Sequence, residues 1–282
     1  MYKIKCFSDF TDTNTCKLNF EKACKVSKNK LYGKKYLFTN DEDYTHVIII
    51  NQAMPILNVP KENVIGLAFE PYNILKPTKL FIIYAKKCIG KYYIGNTKSL
   101  PEPFVEGFSF LWYSSPERSI SFKNKCMSIC FSTKSYAPGH NYRHVLVNEI
   151  LKQNLPVDIY GRGCKLYSGN QLKGEFEEYE PYSEYKFTIC IENWMEPHYF
   201  SEKIITPMLC NCMPIYIGCF NINNYFPNKV INMAGNLEDD ISLIKKILDS
   251  PDDYYRKTYK IQNKINLIKN IDTLFSKNIL QS

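Results

Sequence analysis

The 282-residue sequence has no apolar run near the roughly 20 residues that a membrane-spanning helix needs; runs such as Thr45 to Ile50 and Val64 to Phe69 are among its longest. Nor does Met1-Tyr2-Lys3-Ile4-Lys5-Cys6 carry the apolar stretch of a secretory signal. A soluble, cytoplasmic protein without a transmembrane segment is expected. Arginine is scarce too, at four positions (Arg118, Arg143, Arg162, Arg256), so scattered lysine supplies almost all of the positive charge behind the net +8. Charge spread in this way marks a solvated surface and argues against a nucleic-acid partner, which would need it clustered.

No C-x-x-C pair exists among the 11 cysteines; Cys126 with Cys130 and Cys210 with Cys212 are the closest. A structural zinc site uses tighter, repeated spacing, and without a secretory signal disulfides are not expected, so the cysteines read as buried, reduced thiols. Histidine is limited to four residues. His140 and His144 share a helix face, but no carboxylate completes a metal site, and they read as partly exposed helix residues. Asp41-Glu42-Asp43 has a D-x-D form yet precedes a strand-like run instead of following one, so no metal is assigned to it. No G-x-G-x-x-G follows a strand: Gly161-Arg162-Gly163 continues into Cys164-Lys165-Leu166, which disfavours a Rossmann dehydrogenase.

What is present is an ordinary globular composition, 45% hydrophobic and 23% charged, arranged as alternating β-like and helical runs. In the first half Tyr2 to Phe7, Thr45 to Asn51, Asn63 to Phe69 and Tyr92 to Ile94 read as strands, and Cys16 to Val26 and Lys79 to Ile89 as helices. In the second half Cys126 to Phe131, Val157 to Tyr160, Phe187 to Ile191, Met213 to Ile217 and Val230 to Asn232 read as strands. Tyr142 to Gln153, Ser201 to Leu209 and Leu237 to Leu248 read as helices. Strand and helix in turn point to parallel sheets built from βαβ units. The polar stretch Ser114 to Lys125 places a boundary, giving domains at 1–119 and 120–282. The closing stretch, Asp252 to Leu280, has apolar residues at helical spacing among lysines and reads as a helix packed on its own protein.

In such folds ligands lie beyond the carboxyl ends of strands. One such end is Glu192-Asn193-Trp194, followed by Tyr199-Phe200-Ser201-Glu202-Lys203 opening a helix. Ser201 suits an N-cap and Glu202 the first turn, while Lys203 with free backbone N–H groups can hold a diphosphate.

Together, Tyr185-Lys186-Phe187-Thr188-Ile189-Cys190-Ile191-Glu192-Asn193, Tyr199-Phe200-Ser201-Glu202-Lys203-Ile204 and Met213-Pro214-Ile215-Tyr216-Ile217-Gly218 resemble the donor-binding signature of the α1,3/4-fucosyltransferases, glycosyltransferase family ten. The resemblance is strongest over residues 185–232. It implies an α/β, GT-B architecture, two Rossmann-like domains facing across a cleft, with the C-terminal one binding GDP-fucose. It also implies that Lys203 and Arg143 contact the donor phosphates, that Tyr199 and Glu202 contact the ribose and sugar side, and that Glu192 and Asn193 lie near the fucose. The reaction implied is inverting transfer of L-fucose to a hydroxyl of a glycan or glycoprotein, without a cofactor. Glu70, in Phe69-Glu70-Pro71 where many members have Gly-Glu-Asn, is the candidate general base, with Glu102 and Glu106 as neighbouring alternatives. Ser201 stands for the usual threonine, and Trp194 stands where a small hydroxyl residue is common and would reshape the sugar pocket. The alternatives are the same fold acting on another nucleotide sugar, or an inactive nucleotide- or glycan-binding module.

Overall fold

The structure, a computed structural model, describes residues 1–26, 31–110, 122–177 and 179–258. Its described residues fall into two compact units, one of 1–110 with Glu196–Ser201, the other of 122–195 and 202–258. The short segment Glu196–Ser201, lodged in the first unit, is one that a linear division of the sequence does not anticipate.

In the first unit β1 (Tyr2–Ser8), α1 (Thr13–Val26), β2 (Tyr36–Phe38), β3 (His46–Ile50), β4 (Val64–Leu67), α2 (Tyr72–Leu75), α3 (Lys79–Cys88), β5 (Lys91–Ile94) and β6 (Phe104–Glu106) follow in chain order. The sheet runs β2-β1-β3-β4-β5-β6, every pair parallel. All residues of β3 and β4 are buried, as befits central parallel strands covered on both faces; their β-branched runs are what made them readable. Thr78 caps α3 by accepting from the Phe81 N–H at 3.1 Å. The acidic string before β3 is engaged by lysines of β1: Lys3 pairs with Asp43, and Lys5 with Glu42 at 2.7 Å.

The second unit contains β7 (Lys125–Cys130), α4 (Pro138–Lys152), β8 (Val157–Tyr160), β9 (Leu172–Gly174), α5 (Glu180–Ser183), β10 (Tyr185–Ile191), α6 (Glu202–Leu209), β11 (Met213–Ile217), α7 (Ile222–Tyr225), β12 (Ile231–Asn232), α8 (Leu237–Asp249) and α9 (Pro251–Thr258). Its sheet, again all parallel, has the order β12-β11-β10-β7-β8-β9. Chain order reverses between β7 and β10, and that is where such sheets open a crevice at their carboxyl ends. Ile129, Ile189 and Ile215 from three neighbouring strands pack with Leu146 and Ile150 of α4 and Ile244 and Ile247 of α8. Burial of these side chains at about 25 cal/mol per Å² holds the helices to the sheet.

Some elements differ from the expected ones. α4 begins four residues ahead of the expected Tyr142, because Pro138 occupies the first helical position, where its missing N–H costs nothing. The strands β2, β6 and β9, three residues each, are too short to show a period. Asp240, in the first turn of α8, is fully buried and accepts from the N–H groups of Ala234 and Gly235 at 2.7 and 3.0 Å and from the Tyr142 hydroxyl. All 11 cysteines are thiols, eight of them buried. Of the closing helix, only Pro251–Thr258 lies within the described residues.

Candidate functional site

The β7/β10 switch point assembles five of the expected residues within the second unit. Glu192 directly follows β10 and is 1% exposed, with its backbone N–H donating to the Ile217 carbonyl at 2.9 Å. Asn193 follows, and its carbonyl accepts from the Gly139 N–H at 3.1 Å, so the amino end of α4 is tied to the loop after β10. The approach is so close that a Cβ on Gly139 would stand 1.7 Å from the Glu192 carbonyl oxygen. Only glycine fits there.

One turn along α4, Arg143 is 6% exposed and directs its guanidinium at the same loop. Nε donates to the Ile191 carbonyl at 3.0 Å, and Nη2 donates to that carbonyl and to Asn193 Oδ1, the latter at 2.8 Å. From α6, Lys203 Nζ lies 3.0 Å from Glu202 Oε1 and 3.7 Å from Glu192 Oε2. Burial works to lower the Lys203 pKa, but the two carboxylates outweigh it, and the amine is held charged with its pKa raised. Two cations and two carboxylates thus surround a strand end and two helix starts, an arrangement that suits an anion with hydroxyl groups beside it.

The structure corrects one reading here. His140, expected to be partly exposed, is 3% exposed. Its Nδ1 has no hydrogen-bond partner. Burial first, then the charges of Arg143, Lys134 and Lys203, lower its pKa to about 4, against a hydrogen bond with Asn193 that raises it. Spacing alone could not show this, because the neighbours come from the β7–α4 loop, the loop after β10, and α6. His144 is partly buried and meets the Tyr167 hydroxyl at 3.1 Å and the Lys134 carbonyl at 3.2 Å.

The remaining expected residues belong to the first unit. Tyr199 and Ser201 lie in the Glu196–Ser201 segment, 5% and 2% exposed, where Phe200 stacks on Phe108 at 4.1 Å between ring centroids. Glu70 is half-buried on the turn after β4. That turn is pinned by the Ala68 N–H donating to the Tyr93 carbonyl and the Phe69 N–H donating to Asn51 Oδ1, both at 2.9 Å. Of the alternatives to Glu70, Glu102 is exposed, and Glu106 closes β6 with Oε1 accepting from the Thr97 N–H at 3.3 Å.

Glu196 is a further buried carboxyl that no motif or spacing in the sequence singles out. It is 3% exposed, its Oε1 accepts from the Tyr72 N–H at 3.3 Å, and its Oε2 has no hydrogen-bond partner. Burial raises its pKa to about 7, aided by Glu106 and opposed by the Tyr72 N–H and Lys98. Its place between Met195 and Pro197 carries no periodic signal, so nothing in the sequence marked it as buried.

Residues 120–276 match the family profile described as glycosyltransferase family 10 (fucosyltransferase), C-terminal. A protein of Acanthamoeba polyphaga mimivirus that bears a fucosyltransferase name is 27% identical over 242 residues, covering 76% of this chain and 39% of that protein. The α1,3-fucosyltransferase B of Drosophila melanogaster is 32% identical over 139 residues, covering 44% of this chain and 30% of its own length. The chain therefore spans less than two fifths of the length of these relatives. Among solved structures, an α1,3-fucosyltransferase with GDP aligns over 100% of this chain and 90% of its own, with a TM-score of 0.56 at 14% identity. An Anabaena protein, HepE, in complex with UDP-glucose aligns over 82% of this chain and 71% of its own, with a TM-score of 0.52 at 10% identity. The fold is the expected α/β, GT-B type with two parallel sheets. With more than half of its length matched and the cations gathered at the switch point of the matched region, the chain belongs to glycosyltransferase family 10, the fucosyltransferases.

Proposed function

We propose that the protein is an inverting glycosyltransferase that moves L-fucose from GDP-fucose to a hydroxyl of a glycan or glycoprotein, forming an α1,3-type linkage. The observation that carries this reading is the convergence of Arg143, Asn193, Glu192 and Lys203 on the β7/β10 switch point. The donor is named from the family and from solved relatives titled as holding GDP and GDP-fucose. In the reaction an acceptor oxygen forms a bond to the anomeric carbon as the bond to GDP breaks, and the acceptor proton passes to a carboxylate. Glu70, on its pinned turn, is our candidate for that base. Arg143 and Lys203 meet the charge that grows on the departing diphosphate, while Glu192, Glu202, Tyr199 and Ser201 order the sugar side. With the leaving charge met by side chains, we assign the reaction no metal or other cofactor. Transfer from radiolabelled GDP-fucose to a panel of glycans, with and without a chelator, tests this. Incorporation that survives chelation supports it, and the absence of any transfer or donor hydrolysis removes it.

Among the described residues no helix is long and apolar enough to cross a membrane, and we place the protein in the cytoplasm. Trp194, half-buried directly after Asn193, favours a second reading in which the same site accepts another nucleotide sugar. Thermal shifts with GDP and UDP at matched concentrations separate the two, since a ligand of the folded state raises the midpoint.

A further inference from the structure

His140 is the third residue of α4, one turn before Arg143, and its side chain is enclosed by groups from several elements. On one side its ring makes a T-shaped contact with the Tyr136 ring, at 4.5 Å between centroids, and the Lys134 amine lies 5.7 Å from the Tyr136 ring centroid. Lys134 is held over α4 by the contact of its carbonyl with His144. On another side stands Asn193, already bonded to Arg143 and to the Gly139 backbone. Lys203, with Glu192 and Glu202 as its carboxylate partners, contributes its charge from α6.

The imidazole is therefore 3% exposed at the positive end of a 15-residue helix, with three cations near it and Nδ1 unpartnered. Burial and the charges of Arg143, Lys134 and Lys203 oppose a positive charge on the ring, Asn193 favours one, and a proton added at Nδ1 would break no existing hydrogen bond. What would reverse the balance is an anion. Resting on the donor assignment above, we propose that His140 takes up one proton from solution when a nucleoside diphosphate sugar binds at Arg143 and Lys203, and so becomes a further cation of that site.

The linkage has a defined sign. Without ligand the ring is neutral at physiological pH, its pKa being lowered to about 4. A nearby opposite charge raises such a group by about 1 to 3 pH units, into the range of about 5 to 7. Binding then draws a proton, and affinity strengthens as the solution is acidified toward about pH 6. A GDP-sugar is the suitable probe, because its diphosphate diester has no ionisation of its own in this range.

Calorimetric titration of the full chain with GDP-fucose at about pH 6, in buffers of different ionisation enthalpy, reads the uptake directly; about half a proton is expected for the wild type and close to none for His140→Gln. Carbon-13 labelling of the four histidines gives a second reading on the unaltered protein. The imidazole resonance assigned to His140 should shift to the protonated position on saturation. Binding with the same buffer dependence in wild type and variant, or a His140 resonance that stays neutral at saturation, overturns this inference while leaving the donor assignment standing. No binding of GDP-fucose at any pH removes the donor assignment, and this inference with it.

Discussion

Arg143 donates to Asn193 Oδ1 at 2.8 Å, joining the second turn of α4 to the loop that follows β10. The same guanidinium also bonds the Ile191 carbonyl, so it braces two elements on either side of the switch point while supplying charge there. A lysine cannot reproduce that fork. Arg143→Lys is expected to weaken GDP binding by about tenfold, the equivalent of one strong charge-assisted hydrogen bond. Titration with GDP checks it, and equal affinity in the two proteins would detach Arg143 from the donor.

Glu70→Gln keeps the size of the side chain and removes its basicity. Transfer should fall by about 100-fold to 10,000-fold, with GDP binding within about twofold of wild type, since the residue belongs to the acceptor step. Unchanged transfer would dismiss Glu70 and turn attention to Glu106.

Glu196 makes stability depend on pH. Its pKa rises from the usual 4.5 to about 7, chiefly through burial. A group raised in the folded state contributes stability that is fully present below its unfolded value and is lost as pH climbs through the folded one. Between about pH 4.5 and 8 the loss from this one carboxyl is about 3 kcal/mol. Glu196→Gln retains an acceptor for the Tyr72 N–H and carries no charge. The variant should therefore gain on the wild type as pH rises from 5 to 8, measured by urea unfolding; a constant difference across that range would contradict the assignment.

Gly139→Ala introduces a methyl group 1.7 Å from the Glu192 carbonyl oxygen, which is backbone and cannot swing aside. A cost of about 2 kcal/mol or more is expected from the forced separation of α4 and β10, together with weakened GDP binding because Arg143 moves with its helix. Wild-type stability in this variant would mean that the two elements are not in such close contact.

Much of this was readable residue by residue. His46–Ile50 carries a β-branched run, while Val64–Leu67 and Met213–Ile217 are short apolar segments that include Val or Ile and are bounded by polar turns, a composition that favours a buried strand. The spacing from Glu192-Asn193 to Glu202-Lys203 located a strand end and the helix start after it. These are local properties, set by side-chain shape and by the period of helix and strand.

The alternation of strand and helix, the family resemblance and the candidates Arg143, Glu192, Asn193, Glu202 and Lys203 can all be read along the chain, because each rests on residue type and local spacing. The enclosure of His140 among cations, the burial of Glu196 with its contact to the Tyr72 N–H, and the membership of Glu196–Ser201 in the first unit arise only in the folded chain. The reason is physical: the ionisation of a side chain depends on solvent exclusion and on charges brought close from distant parts of the chain, and neither is a property of its sequence neighbours.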